Sequence, residues 1–192
     1  MPKGPVFVED DDLYRAIGRV ASESARMDEL LRELIGDVSG FDEILWVLLQ
    51  GQNSEWLSEA CKSVLRQRDP YFRRWPESHH IKILELLDEF SRYRIMRNAV
   101  IHGVWYPYEP FGEDDLLPRP WGAADDGSPI YYCTRSRYRK IDEVREMSVH
   151  DVTLLAEKIA KVQSRLVSEF RAMMKHSNPG TMEPFRRWGS SE

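Results

Sequence analysis

Cysteine is scarce in this chain: only Cys61 and Cys133 occur, and neither sits in a CxxC or CxxH spacing. That excludes a disulfide scaffold and argues against a zinc ribbon. Long apolar runs are missing as well. The longest, Ile44 to Leu49, is six residues, whereas a membrane-crossing helix needs about 20. The opening Met1-Pro2-Lys3-Gly4-Pro5 has no apolar core, so no standard export signal is expected. A cytoplasmic chain with two reduced thiols and no membrane partner is expected instead. Familiar catalytic signatures are also absent: there is no GxxxxGK[ST], GxGxxG, HExxH or GxSxG, no EF-hand loop, and no pair of ExxH motifs such as a di-iron bundle requires. Neither a metal site nor a cofactor site is expected.

What is present reads as an ordinary globular chain. Its 192 residues are 42% hydrophobic and 31% charged. A single domain over 1–176 is expected, followed by a poorly ordered tail at 177–192. The net charge of −5 argues against a protein that coats nucleic acid by bulk electrostatics. Charge is unevenly spread, however. Residues 1–50 carry five basic against eleven acidic side chains, while basic groups gather in 62–75, at Arg92, Arg94 and Arg97, and at Arg135, Arg137, Arg139 and Lys140. A local basic site on an acidic body suits a phosphate-bearing ligand or an RNA segment; a set of solvated faces is the plain alternative.

Hydrophobic periodicity predicts a mainly α protein. Leu13, Ile17, Val20, Ser24, Met27, Leu31, Leu34 and Val38 recur at steps of three and four, the stripe of one long amphipathic helix. The acidic run Glu9 to Asp12 suits its N-terminal dipole, and Gly36 and Gly40 mark its end. Residues 41–50 read as a short buried helix. Asn53 or Ser54 caps the next, which runs to about Arg68 with Leu57, Ala60, Cys61, Val64 and Leu65 on one face. A third long helix is expected over 77–102, with Ile83, Leu84, Leu87 and Phe90 as its stripe and Gly103 as its terminator. The aromatic, β-prone stretches 104–108 and 130–138 predict a β-hairpin within an insert at 104–140, joined by a long acidic loop at 109–128. Ser148-Val149-His150-Asp151 resembles a capping box opening the last helix, whose stripe is Val152, Leu155, Ile159, Val162, Leu166, Phe170 and Met173. The sum is an antiparallel four- to five-helix bundle with an inserted β-hairpin before the last helix.

The third long helix carries an anomaly. Stepping about 100° per residue, the stripe that holds Ile83, Leu87 and Phe90 continues into Arg94, Asn98 and Ile101, with Arg97 and His102 on its flanks. Two guanidinium groups where a bundle expects leucine are costly unless they are paired or face a cleft. Acids of the first helix, Glu23, Asp28 and Glu33, are available partners.

The run Arg97-Asn98-Ala99-Val100-Ile101-His102-Gly103 resembles the R-N-x-x-x-H motif of the HEPN superfamily (higher eukaryotes and prokaryotes nucleotide-binding domains). In that motif an Arg is followed four to six residues later by a His, often with a polar residue directly after the Arg. The same gap occurs at Arg74 and His79, Arg145 and His150, and Arg171 and His176. The first of these pairs spans Trp75-Pro76, the second crosses a helix start and the third lies at a frayed end. Only Arg97 and His102 close a long helix.

The resemblance implies an all-α bundle, in many members a metal-independent endoribonuclease and often a toxin or defence protein. An antitoxin or other regulator is then an implied partner. The residue types suit RNA cleavage through the 2′-OH to a 2′,3′-cyclic phosphate. His102 would serve as general base or acid, Arg97 as phosphate clamp, Asn98 as orienting group and Arg94 as auxiliary cation. Arg97 and His102 lie about 140° apart on an ideal wheel, so two copies across a two-fold axis would have to complete one cleft. The resemblance implies the same composite homodimer site. Trp105 with Arg135 and Arg137 mixes aromatic and cationic groups as RNA-stacking surfaces do, although such aromatics can equally cover the bundle. The alternative function is a non-catalytic HEPN-like module that binds a nucleotide, RNA or a partner protein.

Overall fold

The structure is a computed structural model that describes residues 10–39, 43–67, 76–107, 129–137 and 140–175. The expected 109–128 loop and 177–192 tail lie outside the described residues. Five helices, α1 (Asp11–Ser39), α2 (Glu43–Gln50), α3 (Ser54–Arg66), α4 (Glu77–His102) and α5 (Val149–Lys175), accompany three strands, β1 (Val104–Pro107), β2 (Ile130–Arg137) and β3 (Lys140–Ser148). The protein is mainly helical with one small antiparallel sheet in the order β1-β2-β3.

The helical stripes read from periodicity form the core. Leu13, Val20, Met27, Leu31 and Leu34 of α1 are buried with Ile83, Leu87 and Phe90 of α4 and Ile159, Val162, Leu166 and Phe170 of α5. α1 and α4 both pack on α5, and α3 lies against both α1 and α4. Local chemistry sets the helix starts. The Asp10 carboxylate accepts from the backbone N–H groups of Asp12 at 2.8 Å and Leu13 at 3.0 Å, satisfying donors that have no partner inside a helix. Asn53 Oδ1 caps α3 by accepting from Trp56 N–H at 2.9 Å. The Ser148–Asp151 box forms as a reciprocal pair: Ser148 N–H donates to Asp151 Oδ2 at 2.8 Å and Asp151 N–H donates to Ser148 Oγ at 3.1 Å.

Three expectations are corrected. First, the insert is a three-stranded sheet and not a hairpin. β3 pairs antiparallel along β2, from Ile130↔Ser148 to Arg137↔Lys140, with an irregularity between Arg135 and Arg137. Its alternation is masked by charge: Met147 is buried beside Tyr131, whereas Val144 of the opposite parity is exposed. Second, α2 is not a buried helix. Only Leu49 is buried there, while Ile44, Val47 and Leu48 are 69%, 72% and 61% exposed. Third, Gly36 does not end α1, which runs through it to Ser39.

Candidate functional site

The C-terminal turns of α4 sit between α1 and α3 on one side and the sheet on the other, and the rotation of the helix explains the anomaly in its stripe. Ile83, Leu87 and Phe90 face the bundle core, but in the last turns the buried residues become Ala99 and Val100, about half a turn around the wheel. β1 and β2 cover that second face. The last four carbonyls of a helix lack partners within it. Here Cys133 Sγ–H of β2 donates to Ala99 O at 3.2 Å, and the Trp105 indole Nε1–H of β1 donates to Val100 O at 3.1 Å. The sheet thereby fixes the end of α4, and with it His102, the exposed last residue of that helix.

Arg94, Arg97 and Asn98 remain on the face turned toward α3 and α1. Arg94 Nη1 donates to Glu55 Oε2 at 2.7 Å, so this mostly buried guanidinium ties α4 to the start of α3. Arg97 Nη1 donates to the side-chain oxygen of the adjacent Asn98 at 2.8 Å. Its Nη2 stands 3.9 Å from Asp28 Oδ2 of α1, with the two side chains only 18% and 16% exposed. That separation is an ion pair beyond hydrogen-bond range. Arg97 Nε and Asp28 Oδ1 are buried without a hydrogen-bond partner among the described residues. Burial raises the Asp28 carboxyl above its ordinary value and outweighs a hydrogen bond from Ser54 and the charges of Arg97 and Arg32, all of which favour the ionised form. Asp28 was among the partners proposed for these arginines from the sequence; Glu55 and Ser54 were not.

Of the residues expected to hold substrate, Trp105 is buried and offers no open ring face. Its indole completes a helix terminus, which is the covering role that was the alternative for this aromatic group. Arg135 and Arg137 lie on β2 opposite Glu143 and Lys140, and their side chains lie outside the described residues. The remaining histidines of α4 have structural ties. His79 Nδ1 is 2.7 Å from Glu169 Oε2 of α5, and the buried His80 Nε2 is 2.9 Å from Leu65 O of α3.

Among the described residues no group of three or more His, Cys, Asp or Glu could hold a metal ion, and no helix is long and apolar enough to cross a membrane. A surface concavity of about 400 Å³ is lined by α5 residues, Ser164 to Lys175, and none of the Arg97 cluster belongs to it. No model of a known protein family, no curated protein and no solved structure matches this chain.

Proposed function

We propose that the chain is a metal-independent endoribonuclease of the HEPN type, with Arg97, Asn98 and His102 as its reacting constellation in a homodimer. The observation that carries this reading is the state of Arg97. It is a mostly buried cation keyed to Asn98, held loosely by Asp28, with its Nε still unpartnered. It lies five residues before an exposed histidine on a helix end that the sheet immobilises. A guanidinium with spare donors is suited to phosphate oxygens, and a rigid support suits catalysis.

In the proposed reaction the His102 imidazole takes the 2′-OH proton and the 2′-oxygen attacks phosphorus. The 5′-oxygen leaves and is protonated, giving a 2′,3′-cyclic phosphate and a 5′-OH end. Arg97 balances the charge that develops on the phosphorane oxygens, and Asn98 orients Arg97. His102 of one copy would meet Arg97 of the other across the two-fold axis. Arg94, already engaged by Glu55, positions α3 and not the phosphate. RNA cleavage in excess chelator tests the assignment: wild type cleaves, and Arg97→Gln loses two or more orders of magnitude, in line with loss of a charge-stabilising donor.

One observation favours a second reading. Both arginines have acidic neighbours, Glu55 at 2.7 Å and Asp28 at 3.9 Å, as in a scaffold that neutralises its own cations. On that reading the chain is a helical scaffold without catalysis, in which the two arginines serve the packing of α4 on α3 and α1.

A further inference from the structure

The Arg97–Asp28 pair has capacity left on both sides. Arg97 spends one N–H on Asn98, directs Nη2 toward Asp28 without a hydrogen bond, and leaves Nε unpartnered; Asp28 leaves Oδ1 unpartnered. The guanidinium edge that keeps spare donors, Nε with Nη2, is largely buried in this structure, and its geometry is the one that grips two oxygens of a phosphodiester. An anion that displaces the present packing to reach it comes to lie beside the Asp28 carboxylate, whose side chain is largely buried. Two adjacent negative charges in such a place oppose each other strongly. A proton resolves the conflict, because a neutral Asp28 carboxyl becomes an O–H donor to the incoming oxygen.

We infer that the guanidinium edge of Arg97 is a phosphodiester subsite whose filling is coupled to uptake of one proton by Asp28. The inference rests on the phosphate-binding role proposed for Arg97 and adds a regulatory property to it. The groups facing Asp28 fit this coupling. From α3, Ser54 hydrogen-bonds the carboxyl; from α4, Arg97 faces it; from α1, Arg32 contributes its charge, although Arg32 also pairs with Glu29 at 3.1 Å and donates through Nε to Leu49 O at 3.1 Å. Burial holds the carboxyl above its ordinary value in spite of these neighbours, and an anion placed beside it pushes in the same direction.

The test uses the full chain with His102→Gln, so that no histidine titration at the site contributes, and a short oligothymidylate, which has no 2′-OH to react. Binding is measured by calorimetry between pH 5.5 and 8, in two buffers of different ionisation enthalpy. The expected result is uptake of up to one proton per oligonucleotide and an affinity that falls by up to tenfold per pH unit as pH rises. Asp28→Asn abolishes both effects while binding persists, and Arg97→Gln weakens binding at every pH. Ser54→Ala, which removes a bond to the ionised carboxyl, keeps the slope and moves it to higher pH. Absence of binding, or a slope unchanged by Asp28→Asn, overturns the inference. RNA cleavage by wild type with a pH slope indifferent to Asp28 would sink the coupling alone. Proton-linked binding without any RNA cleavage would sink the ribonuclease alone.

Discussion

A Cβ atom placed on Gly103 would stand 2.2 Å from Cys133 Sγ and 2.5 Å from Ala99 O. The glycine that follows α4 is therefore required by close approach and not by a left-handed backbone, since its φ is −79° and its ψ 155°. That corrects the role expected for it as a conformational terminator. Its space lets β2 reach the end of α4 and lets the Cys133 thiol bond Ala99 O. Gly103→Ala is expected to destabilise the protein by about 1–3 kcal/mol, as overpacking of a filled site does. Chemical denaturation checks the loss.

Asp10 joins α1 to the sheet. It caps the helix and also accepts a hydrogen bond from the Tyr131 hydroxyl of β2. The Tyr131 bond, with the backbone N–H of Leu13, holds its carboxyl below the ordinary value, while burial and this carboxylate push Tyr131 up to about 12. Asp10→Ala should cost about 1–2 kcal/mol, the range of a lost cap. The sign with pH follows from the lowered carboxyl. Asp10 contributes fully above its unfolded value, near 3.8, and the contribution fades as pH falls through its lower folded value. The stability gap between wild type and Asp10→Ala should therefore narrow in acid, as read from urea midpoints down to pH 3.

Asp28 has the opposite sign. Its carboxyl is raised in the folded chain, so its contribution is complete below about 3.8 and is lost as pH rises through the raised value. Asp28→Asn removes that dependence. Wild type is expected to lose stability relative to Asp28→Asn on going from pH 4 to pH 7, with thermal melts as the check.

Lys62 is a buried lysine whose pair is cheap to remove. Its side chain is only 6% exposed, with Nζ 2.8 Å from Glu59 and 2.7 Å from Asp88, yet those carboxylates are 60% and 63% exposed. Burial opposes its charge, but the two hydrogen bonds and the acidic charges leave the ammonium above its ordinary value. Lys62→Met strands no buried carboxylate, because water can solvate both acids. It should change stability by less than about 1 kcal/mol, unlike the several kcal/mol of a fully buried pair broken on one side. A larger loss in chemical denaturation would contradict this account.

The parts legible in the sequence were those determined within one element. The stripes of α1, α4 and α5, the Asn53 cap and the Ser148–Asp151 box depend on neighbours three or four residues away, and periodicity exposes them. β3 was not legible because Asp142, Glu143, Arg145 and Glu146 are poor strand formers in isolation; pairing with β2 makes the strand. α2 misled for the converse reason. Six apolar residues in a row suggest burial, but its position against α1 covers only the Leu49 side. At the candidate site, the polar ending of α4 was visible as a break in its stripe. Its cause was not, because Glu55 and the strand face under Ala99 meet α4, and Ser54 meets Asp28, only through tertiary packing.

The central claim is that the Arg97 to His102 segment cleaves RNA. The most direct test incubates wild type and His102→Ala with several RNAs in EDTA and identifies the 3′ ends of the products. The account predicts 2′,3′-cyclic phosphate ends from wild type and none from the variant. Cleavage that persists unchanged in His102→Ala, or no cleavage by a folded wild type on any RNA, would contradict it.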